Sequence, residues 1–324
     1  MSTAQVPFHE ELVTLQGPAG TLAGTLAVPD GAVRGFVLII PGSGRANRDG
    51  DLRQLRIGIY RDLARAVSAE GFVTLRYDKR GVGRSVRAHS ATGLWDLVDD
   101  AAAAVSFLRQ SAGDSGTIIL LGHSEGCIIA PAVNARTPVQ GLILLSGACE
   151  SLSVTSPRQQ ERGIEDLRRM RGLMGVIVRA LRVPESQRRK SRALLERIMA
   201  SDRPWIRVSG LKLNAKWIRE HFRYDVTSDL PGVHCPTLAI TGEKDIQVLP
   251  EHARQIADTV GGPAEWHIIP HMTHILRRTD EPVNMVTLLK LYKRQVRQPI
   301  DPELLDILRI WLDAQFPRGS HAAS

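Results

Sequence analysis

The sequence predicts an α/β fold: a mostly parallel central sheet with helices on both faces, interrupted by a helical insertion. Three observations carry this. Apolar runs without alternation recur along the chain, as strands buried on both faces require. They alternate with helical periods in β-α-β-α order, which implies a parallel sheet. The rhythm then stops for nearly eighty residues after Ala148 and resumes near residue 227.

Taken in order, residues 12–15 and 21–28 read as an antiparallel hairpin about the Gly17-Pro18-Ala19-Gly20 turn. Residues 36–40 form a buried strand ending at Pro41-Gly42. A helix is expected over 52–70, stopped by Gly71, then a strand over 72–77. The helix over 94–110 opens with Asp96, Asp99 and Asp100, which suit its positive N-terminal end. A strand over 117–121, a helix over 125–136 and a strand over 141–146 follow. Residues 149–226 show no clear strand, with helices expected over 157–171, 172–182, 185–199 and 211–222; this segment reads as a cap. The α/β pattern returns with a strand at 236–240, a helix at 250–260, a strand at 265–269 and a last helix at 301–316. The organisation is therefore a core of 1–148 and 227–324 with a cap of 149–226. The tail, 318–324, is small and polar and expected to fray.

At 324 residues the chain can bury a substantial core. The apolar fraction is 43% and the charged fraction 23%, the balance of a folded globular protein. Lysine and arginine number 42 against 34 acidic residues, a formal charge of +8. That is too small an excess to specify an acidic partner. Nucleic acid is not expected as a partner: only 5% of residues are aromatic and no binding motif is present. No run approaches a membrane span, so stable membrane insertion is not expected, and residues 1–16 lack the regions of a signal peptide. Cys127, Cys149 and Cys235 are odd in number and widely spaced, which fits free thiols and a cytoplasmic setting. Self-association is left open.

The sharpest local signal is Gly122-His123-Ser124-Glu125-Gly126, a G-x-S-x-G pattern between a buried strand and a helix. A tight turn there exposes the Ser124 hydroxyl at a helix N-terminus. A serine hydroxyl needs a base to become a nucleophile. Two loops past strand ends offer partners: Gly242-Glu243-Lys244-Asp245, and His271-Met272-Thr273-His274. Asp245 is the preferred acid, with Glu243 as the alternative, and His274 the preferred base, with His271 as competitor. Metal chemistry is not favoured, since no H-E-x-x-H or Cys/His cluster accompanies the histidines. An oxyanion would be met by the backbone N–H of Glu125 and by one from the Pro41-Gly42-Ser43-Gly44 loop, with Ser43 best placed. The charged stretches 45–50 and 76–85 read as interlocked loops held by ion pairs, with Arg45 and Arg48 within possible reach of a substrate mouth.

These motifs together resemble the α/β-hydrolase superfamily, in the branch of bacterial esterases related to serine aminopeptidases and monoacylglycerol lipases. The similarity rests on Ile40-Pro41-Gly42-Ser43-Gly44 with Arg48-Asp49-Gly50, on residues 76–85, on Gly122 to Gly126 and on Gly242 to Asp245, and spans roughly 10–148 and 227–316. It implies a triad of Ser124, Asp245 and His274, ester hydrolysis of a small acyl substrate through an acyl-enzyme, and no cofactor. Thioester hydrolysis, amide hydrolysis and acyl transfer use the same machinery. A non-catalytic ligand-binding scaffold is the contrasting class, against which the intact Ser, Asp and His argue. Two positions depart from the pattern: Pro41 stands where many relatives carry His, and Cys127 where Gly is usual. The cap is rich in arginine (Arg168, Arg169, Arg171, Arg188, Arg189, Lys190, Arg192), read chiefly as a solvated face and secondarily as a lure for an anionic substrate. The apolar stretch 173–181 is read as packing onto the core.

Overall fold

A computed structural model describes residues 6–85, 91–112, 116–172, 175, 178, 180 and 183–318. The sheet is built from β1 (Phe8–Gly17), β2 (Gly20–Pro29), β3 (Gly35–Ile40), β4 (Phe72–Tyr77), β5 (Ile118–His123) and β6 (Gly141–Leu145), completed after the insertion by two later strands. The insertion carries a two-stranded hairpin, β7 (Trp205–Val208) and β8 (Leu211–Asn214), and the sheet resumes with β9 (Thr237–Gly242) and β10 (Ala264–Ile269). Strand order is β1-β2-β4-β3-β5-β6-β9-β10. The first hairpin and the β2–β4 pair are antiparallel, and every pairing from β4 to β10 is parallel.

Strand periodicity divides the core into two layers. Leu38 and Ile40 of β3, Ile118 and Leu120 of β5, and Leu142 and Leu144 of β6 face one side. There they meet α2 (Leu94–Ala112), α3 (Gly126–Arg136) and α7 (His252–Thr259). Val37, Ile39, Ile119, Leu121, Ile143 and Leu145 face the other side, against α1 (Ile59–Ser68) and α9 (Pro302–Gln315). Both faces are covered, so the central strands are uninterrupted apolar runs. This is the α/β-hydrolase arrangement that the sequence predicts.

Three local expectations are corrected. The helix expected over 52–70 begins only at Ile59, because Asp51 accepts from the Gly58 N–H and Asn47 Oδ1 accepts from the Asp49 and Asp51 N–H groups. Their hydrogen bonds tie 47–58 into a loop instead. In the insertion, the absence of strands is overturned by the β7–β8 hairpin, which turns at Ser209-Gly210, both at positive φ. Such a two-residue turn matches the twist of its flanking strands. Consequently the helix expected over 211–222 starts later, as α6 (Ala215–Arg223), with the Asn214 side chain accepting from the Trp217 N–H as its cap. An additional helix, α8 (Leu288–Gln295), lies in a stretch that carries no prediction. The insertion also contains α4 (Leu152–Arg168) and α5 (Val183–Met199). Its own small core joins Ile198, Ile206 and Ala215. Of the apolar stretch 173–181, Leu173, Met174, Val176 and Ile177 lie outside the described residues, while Val178 is buried. The tail 319–324 also lies outside them. Among the described residues no helix is long and apolar enough to cross a membrane, and all three cysteines are free thiols.

The charged loop after β4 is locked as expected. Asp78 receives the Arg48 N–H, the Arg48 guanidinium at 2.8 Å and the Arg84 N–H. Arg48 Nε also donates to Thr25, so its guanidinium is committed to structural contacts. Arg80 grips Asp100 of α2 through two hydrogen bonds of 2.5 and 2.6 Å, and Asp100 is almost wholly buried. Removing Arg80 strands the Asp100 carboxylate in the core, whereas removing Asp100 leaves Arg80 paired with Asp96 at 3.1 Å. Arg80→Ala is therefore expected to destabilise the fold by about 3–5 kcal/mol, read as a lowered urea midpoint with an unchanged slope.

Candidate functional site

β5 delivers the site through a sharp turn into α3. Ser124 sits at φ 55°, a left-handed conformation that is costly for a residue with a Cβ. The surroundings hold it there. The Ser124 N–H donates to Leu145 O of the neighbouring strand, and Ser124 O accepts from the Cys127 N–H. A side chain on Gly122 would place a Cβ 2.4 Å from Gly126 O, and one on Gly126 would place it 2.1 Å from Ile40 O. Both glycines are thus demanded by close backbone contact. Cys127, an unusual residue here, fits because Gly147 leaves room: a Cβ on Gly147 would lie 2.5 Å from Cys127 Cβ. The Cys127 thiol donates to Gly122 O or Leu145 O, both at 3.2 Å, and burial pushes its pKa well up. It is an inert packing group.

His274 and Asp245 meet at this turn. His274 Nε2 lies 3.0 Å from Ser124 Oγ, and His274 Nδ1 lies 2.7 Å from Asp245 Oδ2. The other carboxylate oxygen of Asp245 accepts from the N–H groups of Gln247 and Val248. That carboxylate is buried and fully committed, which fixes the imidazole with Nδ1 as donor and leaves Nε2 facing the hydroxyl. Neither alternative residue enters the site. His271 is exposed and pairs with Asp280 at 2.9 Å, while the Glu243 carboxylate accepts from the His271 N–H at 3.1 Å. The loop carrying His274 is itself anchored: Thr273 bonds to Arg277 O, and the buried Arg277 guanidinium reaches Asp62 at 3.0 Å and Ile57 O at 2.9 Å.

The two N–H groups expected to face an oxyanion, those of Ser43 and Glu125, have no hydrogen-bond partner among the described residues. Both residues line the same small cavity as Ser124 and His274, of about 150 Å³. Its other walls come from Ile128 and Val248 of the core and from Leu152, Thr155, Gln159 and Trp217 of the insertion.

Five further residues at the site, His123, Tyr60, Lys79, Trp217 and His221, carry no assignment from the sequence. His123 links its Nε2 to His274 O at 2.9 Å and its Nδ1 to the Tyr60 hydroxyl at 3.1 Å. Burial, with the neighbouring His274, pushes its pKa down to about 3, so it is neutral. Tyr60 in turn accepts from the Gly42 N–H at 2.6 Å. The Glu125 side chain folds inward, where Trp217 Nε1 donates to Oε1 at 2.5 Å and Lys79 Nζ to Oε2 at 3.0 Å. His221 Nε2 lies 3.1 Å from Oε1, without hydrogen-bond alignment. Burial alone would raise the Glu125 pKa, but Lys79 and His221 together hold it well below the usual carboxylate range. Trp217 and His221 are four residues apart and share one helical face, a spacing that could have singled them out. Lys79 sits inside the charged stretch 76–85, where its different direction has no sequence signal.

The insertion's basic residues are largely spoken for. Arg168 pairs with Glu185 at 3.0 Å, Arg169 with Glu165 at 3.6 Å, Arg192 with Glu196 at 3.1 Å, and Arg188 with Glu161. These are exposed pairs, two each along a single helix and two bridging α4 and α5, as a solvated surface would show.

Comparison with known proteins places the chain in context. The family model described as serine aminopeptidase, S33, matches residues 54–280. A curated relative, the esterase EstD of Thermotoga maritima, is 25% identical over 242 residues, covering 74% of this chain and 53% of that protein. The chain thus spans about half the length of that relative. Among solved structures, GrgF, an α/β hydrolase from a Penicillium species, superposes with a TM-score of 0.60 at 16% identity, covering 96% of this chain and all of that one. XC6422 of Xanthomonas campestris, described as an α/β serine hydrolase without a lid, gives 0.55 at 16% identity over 98% of this chain and all of that one. Est1E of Butyrivibrio proteoclasticus with bound ferulic acid gives 0.55 at 17% identity over 89% and 98% of the two chains. At these identities the structural likeness speaks to fold.

The close contact at Gly126 yields a direct expectation. Gly126→Ala forces a methyl group onto the Ile40 carbonyl, a rigid backbone atom. Chemical denaturation should show a loss of about 2–3 kcal/mol, against a near-neutral result for the same change at an open position such as Gly232.

Proposed function

Because this chain belongs to the serine aminopeptidase S33 family of α/β hydrolases, we propose that it is a carboxylic-ester hydrolase working through an acyl-enzyme on Ser124. The observation that carries the reading is the continuous hydrogen-bonded line from Asp245 through His274 to Ser124, at 2.7 and 3.0 Å. In the first half-reaction Ser124 Oγ attacks the ester carbonyl carbon while His274 Nε2 takes its proton. The carbonyl π electrons move to oxygen, and the Ser43 and Glu125 N–H groups receive that oxyanion. The tetrahedral intermediate collapses, the bond to the alcohol oxygen breaks, and His274 returns the proton to the departing alkoxide. Water then repeats the sequence on the acyl-serine ester: His274 deprotonates it, the acid is released and Ser124 recovers its proton. Asp245 holds the imidazole in the required tautomer and stabilises its cationic form throughout.

The cavity favours an ester over the amide of a free N-terminal residue. Binding an α-ammonium calls for an available carboxylate. Glu125 supplies the one carboxylate among the described lining residues, and it is engaged by Lys79, Trp217 and His221. The space of about 150 Å³ is small beside pockets that hold drug-sized ligands, which supports acyl groups of a few carbons.

Ser124→Ala should lower kcat by about 10⁴–10⁶ on a short-chain p-nitrophenyl ester, and wild type, not the variant, should be labelled by a fluorophosphonate. Near-normal turnover by Ser124→Ala would refute the mechanism. His274→Ala should lose activity on a comparable scale, whereas His271→Ala should stay within about threefold of wild type, since its ring faces Asp280 at the surface. Equal losses from the two histidine variants would reassign the base. Activity should also fall along the series from acetyl to decanoyl ester; a preference for the longest chain would contradict the small acyl pocket.

A further inference from the structure

We propose that Lys79 is a positioning residue that aims the Ser43 N–H at the oxyanion, and that the Glu125 carboxylate holds it in place for that task. The inference rests on the serine-hydrolase reading above and assigns part of the machinery that the triad does not cover.

The geometry begins at Gly42. Its carbonyl oxygen accepts from Lys79 Nζ at 2.6 Å, and its N–H donates to the Tyr60 hydroxyl at 2.6 Å. The chain has no cis peptide bonds among the described residues, so the Gly42–Ser43 peptide is trans. In a trans peptide the C=O of one residue and the N–H of the next point in opposite directions. Holding the Gly42 oxygen from behind therefore turns the Ser43 N–H the other way. Ser43 lines the cavity with Ser124, and its N–H is without a protein partner among the described residues. A loop of Pro41-Gly42-Ser43-Gly44 has little side chain with which to fix its own orientation. The ammonium supplies that constraint, and its charge on the carbonyl oxygen also polarises the amide and strengthens the N–H as a donor.

Lys79 is buried with its side chain 3% exposed, and so is the Glu125 side chain that it meets at 3.0 Å. Glu125 directly follows the nucleophile, and its own N–H is the second donor. One ion pair therefore spans both donors, tying the strand-end loop to the turn at the distance the pair dictates. Preorganised donors of this kind cost no rearrangement when charge develops. Mere stabilisation is a poor explanation for the pair, because a buried ion pair gains little over apolar residues of similar volume.

The test compares Lys79→Met/Glu125→Gln, which leaves no charge stranded, with Glu125→Gln alone, which keeps an acceptor oxygen near Lys79. Steady-state kinetics on p-nitrophenyl butyrate, affinity for butylboronic acid and thermal unfolding are measured on both and on wild type. The boronate adds to the serine oxygen and mimics the tetrahedral intermediate. The double variant is expected to fold, to lose about 10²-fold in kcat with KM within about threefold, and to lose boronate affinity by a similar factor. Glu125→Gln is expected to lose about tenfold in both kcat and boronate affinity. A folded double variant with kcat within threefold of wild type overturns the proposal. So does a loss of kcat with boronate affinity unchanged. If the double variant does not fold, Glu125→Gln decides by the same two comparisons. Fluorophosphonate labelling of wild-type Ser124, run alongside, separates the failures: absent labelling sinks the hydrolase reading, whereas labelling with an unimpaired variant sinks only the role of Lys79.

Discussion

Backbone atoms meet almost without clearance where β5 turns into α3. Gly122 packs on the Gly126 carbonyl and Gly126 on the carbonyl of Ile40, at separations no β-carbon could share. The second contact brings the start of α3 against the end of β3. Since β3 runs directly into the Pro41–Gly44 loop, the same approach that bends Ser124 into its left-handed conformation also sets where the loop departs. The start of the helix, the strained serine and the departure of the Pro41–Gly44 loop are consequences of one steric arrangement. Strain at Ser124 persists because the hydrogen bonds to Leu145 and Cys127 and the packed glycines over-determine it.

Around that contact the site is assembled from distant parts of the chain by hydrogen bonds that leave few loose ends. Asp245 spends both carboxylate oxygens, one on His274 and the other on two backbone N–H groups. His123 is kept neutral by burial and can therefore accept from Tyr60 at one nitrogen and donate to His274 O at the other. Through Tyr60 the same line reaches the N–H of Gly42. The Pro41–Gly44 loop and the loop that carries His274 are connected through the Tyr60–His123 pair.

Legibility in the sequence followed the physics of each element. Strands buried on both faces must be apolar throughout, so β3, β5, β6 and β9 stood out within a residue or two. The Ser124 turn was readable because its glycines are sterically compelled, and Asp245 and His274 because they follow strand ends in the expected order. Elements fixed by local hydrogen bonding or by tertiary contact were harder. The 52–58 segment has helical composition, but Leu52 and Leu55 bond each other's backbone and the Gly58 N–H goes to the Asp51 side chain. The β7–β8 strands are four residues each, too short for a period to declare itself, and only Ser209-Gly210 marked the turn. Lys79, Trp217 and His221 were missed for a different reason. Their partner, Glu125, is a carboxylate buried by folding, and nothing local distinguishes it from an exposed one.

That buried carboxylate has a consequence for how such proteins can diversify. The residue next to Ser124 is satisfied in part by Trp217, which belongs to the insertion. Exchanging the insertion for another, or deleting it, would remove an indole donor and leave an acid facing a void or bulk water. A viable recombinant must change position 125 at the same time or provide a replacement donor from elsewhere. Inserted segment and Ser124 turn are in this respect a single heritable unit, and grafting one without the other would leave the Glu125 carboxylate without one of its donors.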